Sequence, residues 1–67
     1  MITLTVNGEK RELEGPTELT AFLKTLDINP RYVAVAHNGA VLQRQRWSEV
    51  VLQDGDVLEV VRMAGGG

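Results

Sequence analysis

"ITLTVNGEKREL", running from Ile2 to Leu13, is the stretch on which the fold turns. Ile2, Leu4 and Val6 alternate with Thr3 and Thr5, the period-two pattern of a half-buried strand. Asn7-Gly8 follows. Both central positions of a type I′ turn need positive φ, and this dipeptide supplies them at low steric cost. A two-residue loop sets the register, so Val6 faces Glu9, Leu4 faces Arg11 and Ile2 faces Leu13. Arg11 interrupts the apolar side, tolerably if its stem packs and its head reaches water. A lone hairpin is marginal in water, so its apolar face needs a covering layer.

The next stretch supplies that layer. Gly15-Pro16 breaks the strand, and Thr17 is the expected N-cap. Leu19, Phe22, Leu23 and Leu26 then recur at helical spacing as one apolar stripe, with Glu18, Ala21, Lys24 and Thr25 outside it. Pro30 forbids continuation. Tyr32–Gly39 reads as a strand ended by a second Asn-Gly, and Val41-Leu42 as a short strand. A loop or helical turn follows and holds Trp47. Asp54-Gly55-Asp56 makes a tight turn, and Val57–Met63 is the last strand. Parallel strands need a long crossover, which the helix and loops provide. The first and last strands are therefore expected side by side at the centre. The fold class is α+β, a β-grasp (ubiquitin-like) arrangement: a mixed sheet of four to five strands with one main helix on one face. The domain is expected over residues 1–64, with a flexible glycine tail at 65–67.

Composition narrows the chemistry. The chain has 67 residues, no cysteine and a single histidine. Disulfides, thiolate metal sites and a cysteine nucleophile are excluded, and a zinc site built on histidines is not expected. Seven basic against nine acidic residues leave a net charge of −2, without the clustered basic face of a nucleic-acid binder. Arg44 and Arg46 read as solvated loop charges. No apolar run is long enough to span a membrane and no signal peptide is seen, so a cytoplasmic location is expected. "DGD" lacks the closing glutamate of a calcium loop and reads as a turn. His37, with no carboxylate nearby in sequence, reads as a partly buried surface histidine and not a base. The chain is not expected to be an enzyme or to bind a metal or cofactor itself.

Alternation places Leu58 and Val60 on one side of the last strand, and Val57, Glu59, Val61 and Met63 on the other. Val33 and Val35 oppose Ala34 and Ala36 in the same way. A single helix covers one face, so the second apolar face suits a partner, with Val61 and Met63 leading toward the tail. The tail, "AGGG", follows the strand without the polar spacer of a linker. Read as a true end, it carries an α-carboxylate, ionised at neutral pH and unreactive until activated. Glycine lacks Cβ, so such a tail can thread a narrow channel.

Over nearly its whole length the sequence resembles the bacterial thiamine-biosynthesis sulfur carrier proteins, the ThiS family. The resemblance rests on the N-terminal strand leading to Asn7-Gly8, "AVAHNG" around Asn38, Arg44 and Trp47 in the loop, "QDGD" at Gln53–Asp56, and Gly66-Gly67. Gln43 stands where a proline commonly precedes the family's arginine. The resemblance implies that Gly67 is adenylated by a partner enzyme using ATP and magnesium. A sulfur donor acting through a persulfide then gives a C-terminal thiocarboxylate, and thiazole synthase takes its sulfur. Gly65 and Gly66 would thread the partners' active sites, and Val61, Arg62 and Met63 would lie on the docking surface. The alternatives are the small subunit of molybdopterin synthase, a ubiquitin-like modifier, and an interaction module whose tail is inert.

Overall fold

A computed structural model of the chain describes residues 1–63. β1 (Ile2–Val6) and β2 (Glu9–Leu13) form the expected hairpin, with Val6 opposite Glu9, Leu4 opposite Arg11 and Ile2 opposite Leu13. β3 (Thr17–Glu18) leads into α1 (Leu19–Thr25), then a 3-10 turn at Pro30–Tyr32 and β4 (Val33–His37). β5 (Ala40–Leu42), a 3-10 helix at Arg44–Glu49, β6 (Val51–Leu52) and β7 (Val57–Arg62) complete the order. Five strands form one sheet in the order β2-β1-β7-β4-β5. β7 runs parallel to β1 and antiparallel to β4, so the outer parts of the sequence meet at the sheet's centre. This is the β-grasp arrangement.

The helix face of the sheet carries the core. Leu4 and Val6 of β1, Val33 and Val35 of β4, and Leu58 of β7 join Leu19, Phe22, Leu23, Trp47 and Leu52 in one buried cluster. That settles the two-sided strand β4: its valines face the helix, and Ala34 is exposed on the other face.

The helix start differs from expectation. Thr17 is not the N-cap. It lies in β3, which pairs antiparallel with β6, and its hydroxyl donates to the Gly15 carbonyl at 2.9 Å. Glu18 holds the cap position without a side-chain bond. A backbone carbonyl substitutes: Leu19 N–H donates to Val50 O at 3.0 Å, so the miniature β3–β6 sheet satisfies one free donor of the first turn. The helix also stops before Pro30. Leu26 is its C-cap, and Asp27 turns the chain at φ 56°, in the left-handed region that ends helices. Pro30 instead opens the 3-10 turn, where Asn29 Oδ1 accepts from Arg31 N–H at 3.0 Å.

The two Asn-Gly turns do more than reverse the chain. Asn7 (φ 51°) and Asn38 (φ 51°) adopt the positive φ the turns require. Asn7 also accepts from Val60 N–H at 2.8 Å and donates to Val60 O at 3.1 Å, so its carboxamide continues the β1–β7 ladder one step past β1. Asn38 accepts from Val57 N–H through its side chain at 2.8 Å, and its backbone N–H donates to Val57 O at 2.8 Å. β7 is thus pinned by one turn asparagine on each side. Glycine suits the turn conformation, so Asn7→Gly separates the two roles. It is expected to cost about 1–2 kcal/mol by urea denaturation, from the lost bonds to Val60. A turn-only role predicts no loss.

Candidate functional site

The site grows from the C-terminal end of β7. Antiparallel pairing with β4 continues beyond the strand: Met63 N–H donates to Tyr32 O at 2.8 Å. Val61 is 58% exposed on the face away from the helix, and Met63 is 46% exposed beyond it. Val57 and Val41 lie on the same open face by alternation and register, and Val41 is 80% exposed. Arg62 belongs to the opposite face. It lines a groove of about 300 Å³ with Arg11 above a floor that includes Val6, Val33 and Val60. Leu26 and Ile28, which follow the seven-residue helix, also line the groove. Val61 and Met63 are therefore brought together, while Arg62 points elsewhere. Gly65, Gly66 and Gly67 lie outside the described residues.

The C-terminal end of β7 is braced from across the fold, and here Arg44 departs from the reading as a solvated charge. Its guanidinium donates to Pro30 O at 2.6 Å, Arg31 O at 3.1 Å and Val33 O at 3.3 Å. It also stacks on Trp47, 4.7 Å from the ring centroid. Four consecutive carbonyls, from Pro30 to Val33, are thus occupied, three by Arg44 and the Tyr32 carbonyl by Met63 N–H. A planar fork with several fixed donors makes this possible. Trp47 is buried and reaches Leu42 O through its indole N–H at 3.4 Å. Arg46, by contrast, is exposed and only 3.9 Å from Glu49.

His37 also departs from expectation, because it has a carboxylate partner that lies 19 residues away. Its Nε2 is 2.9 Å from Asp56 Oδ2, while Asp56 also accepts from Gln53 N–H at 2.9 Å and from the Asn38 amide at 3.2 Å. Asp54 accepts from Thr3 N–H at 2.8 Å. Both carboxylates of "DGD" are thus engaged in holding turns. Burial pushes the Asp56 carboxyl up, but the His37, Gln53 and Asn38 hydrogen bonds, with the imidazole charge, outweigh it and leave the group below its ordinary value. Among the described residues no three His, Cys, Asp or Glu side chains cluster as a metal site would require. No helix there is long and apolar enough to cross a membrane. Sequence reading missed the Arg44 brace and the His37–Asp56 pair. The "RxxW" spacing and the polar "HNG" and "QDGD" turns were the available signals.

Residues 4–67 match the model of the ThiS family. A sulfur carrier protein ThiS from Thermus thermophilus is 39% identical over 62 residues, covering 92% of this chain and 95% of that protein. A crystal structure of thiamine biosynthesis protein ThiS from Geobacter metallireducens superposes with a TM-score of 0.85 at 35% identity, covering 98% of this chain and 100% of that one. A thiazole synthase from Magnetococcus marinus is 44% identical over 62 residues, 92% of this chain but 19% of that protein. The chain spans about a fifth of the length of the thiazole synthases it matches.

Two outcomes test the polar groups. Arg44→Lys is expected to destabilise the fold by about 1–3 kcal/mol, since one ammonium cannot serve three carbonyls and stack. Loss of protection at the Met63 amide in hydrogen exchange would accompany it. A carboxyl depressed in the folded state stabilises above its unfolded value and loses that contribution as pH falls through the folded value. Wild-type stability should therefore fall in acid below the ordinary carboxylate range. In Asp56→Asn the curve starts lower and is flatter there, as read by urea midpoints across pH.

Proposed function

The chain belongs to the ThiS family, and on that premise we propose that it is a sulfur carrier of thiamine biosynthesis whose working group is the Gly67 carboxylate. The observation that carries this reading is the family match over residues 4–67, which takes in the three glycines as well as the folded domain. The carboxylate oxygen attacks the α-phosphorus of ATP in an adenylating partner, which also holds magnesium. The bond to the β-phosphate oxygen breaks and pyrophosphate leaves. Persulfide sulfur from the donor then attacks the acyl carbon and AMP departs. A thiol cleaves the resulting S–S bond, is itself left in a disulfide, and frees the thiocarboxylate. Thiazole synthase accepts that sulfur. The carrier supplies no acid, base or metal to these steps and is a substrate, not a catalyst.

What this chain contributes is presentation. Ordering a tail in a channel costs about 1–2 kcal/mol per residue, so docking must come from the folded surface beside it. Val61 and Met63 on the open face offer apolar area for that purpose at the root of the tail. Gly65 and Gly66, without side chains, suit the threaded part. The relatives bearing the name thiazole synthase contain a segment similar to almost all of this chain, which supports such a synthase as the acceptor.

Intact-mass measurement after incubation with a thiamine-pathway adenylating enzyme, ATP, magnesium and a sulfide source is the test. The expected gain is that of one sulfur replacing one oxygen, absent without ATP and absent in a chain lacking Gly67. No gain, with the enzyme active on another carrier, rejects the reading.

A further inference from the structure

The sheet has two free edges, and they differ in chemistry. β2 carries Glu9, Lys10, Arg11 and Glu12, an unbroken charged run of the kind that keeps an edge from pairing with other chains. β5 is Ala40-Val41-Leu42 and carries no charge. Its hydrogen-bonding register follows from the turn. In a two-residue hairpin the flanking residues, His37 and Ala40, exchange backbone bonds with each other. The next pair, Ala36 and Val41, therefore directs its backbone groups away from each other. Ala36 turns toward β7, consistent with the bonds Asn38 and Tyr32 make on that side at the same two-residue spacing. Val41 turns its N–H and C=O outward, beyond the sheet. Its side chain stands on the open face, at 80% exposure.

We infer that the β5 edge accepts an extended strand from thiazole synthase, which pairs with the Val41 N–H and C=O and extends the five-stranded sheet by one. The inference rests on the sulfur-carrier reading. An edge of this kind selects its partner by backbone complementarity, and an apolar residue beside Val41 completes the contact. A second copy of this chain fits less well. Pairing two β5 edges about a two-fold axis normal to the sheet leaves both open faces uncovered on the same side. Val61 and Met63 would then gain nothing, and a three-residue edge falls short of the roughly 1,000 Å² a stable interface needs. A strand belonging to a larger partner covers the edge while the body behind it covers the open face. The thiazole synthases that contain a segment like this chain place the two in one polypeptide, where such pairing is favoured by proximity.

The experiment uses the full chain and a thiazole synthase. In the free chain the Val41 amide should exchange with solvent at close to the unprotected rate. In the complex, sampled by NMR after dissociation, it should be slowed about tenfold or more, as a newly formed backbone bond requires. Val41→Pro removes the donor at an edge position where proline is tolerated, and should weaken binding about tenfold. Val41→Thr keeps the donor and the β-branched shape and should bind within about threefold of wild type. Unchanged Val41 exchange in a complex that still transfers sulfur overturns the inference and leaves the carrier function standing. Wild-type affinity in a folded Val41→Pro chain does the same. If Val41→Pro fails to fold, the exchange comparison on the wild-type chain decides. No binding at all overturns the inference, and failure to form a thiocarboxylate separately rejects the carrier reading. Pairing of two copies, seen as a concentration-dependent dimer lost in Val41→Pro, would assign the edge to self-association and also overturn it.

Discussion

β7 has a strand on each side, β1 in parallel and β4 antiparallel, so both rows of its backbone groups must be satisfied within the sheet. Neither neighbour is long enough to do this alone. β1 ends at Val6, and the carboxamide of Asn7 takes over, bonding Val60 as a further strand residue would. On the other side Asn38 closes the first bonds at Val57, and Tyr32 closes the last at Met63. Leu58, between them, is fully buried against the helix layer. The placement of the helix, the division of the sheet into a covered and an open face, and the exit of the chain beside Val61 all follow from this one insertion.

The parts of this arrangement that were legible in the sequence are those governed by local rules. Alternation in Ile2–Val6 and the demands of Asn7-Gly8 gave the hairpin and its register, because a two-residue turn leaves little choice. The helix stripe was equally plain at Leu19, Phe22 and Leu23. Its ends were not. A capping residue is recognised by type, but the first turn found a carbonyl at Val50, contributed by a strand pair that two residues on each side are too short to announce. At the other end a left-handed Asp27 stopped the helix before proline could.

Most of the polar devices were hidden for a related reason: Asn7, Arg44 and His37 find their partners far away in sequence. Thr17 and Arg44 illustrate opposite errors. Thr17 is of a type that caps helices yet lies in a strand pair, and Arg44 is of a type that is solvated in loops yet holds three carbonyls. His37 and Asp56 meet only because the C-terminal end of β4 lies beside the start of β7. What resemblance to the ThiS family marked as a pattern, Arg44 followed by Trp47, has a physical content. The cation lies on the indole and the fork grips the 3-10 turn that receives Met63. The arginine thus acts at the C-terminal end of β7 without lying near it in the chain.

The parallel pairing of β1 with β7 has a consequence for the order in which this protein can come into being. Thr5 meets Val57 and Val6 meets Leu58, so the innermost contact of the sheet joins segments some fifty residues apart. The hairpin and the helix can form locally, but neither finds its central neighbour until β7 is available. Non-local pairing of this kind makes folding slower, because the long loop must be closed before the contact rewards it. During synthesis the sheet's centre cannot close until β7 has been made. The open face beside Val61 exists only with β7 in place against β4, so a partner that reads this surface reads a sheet whose central strand is already inserted.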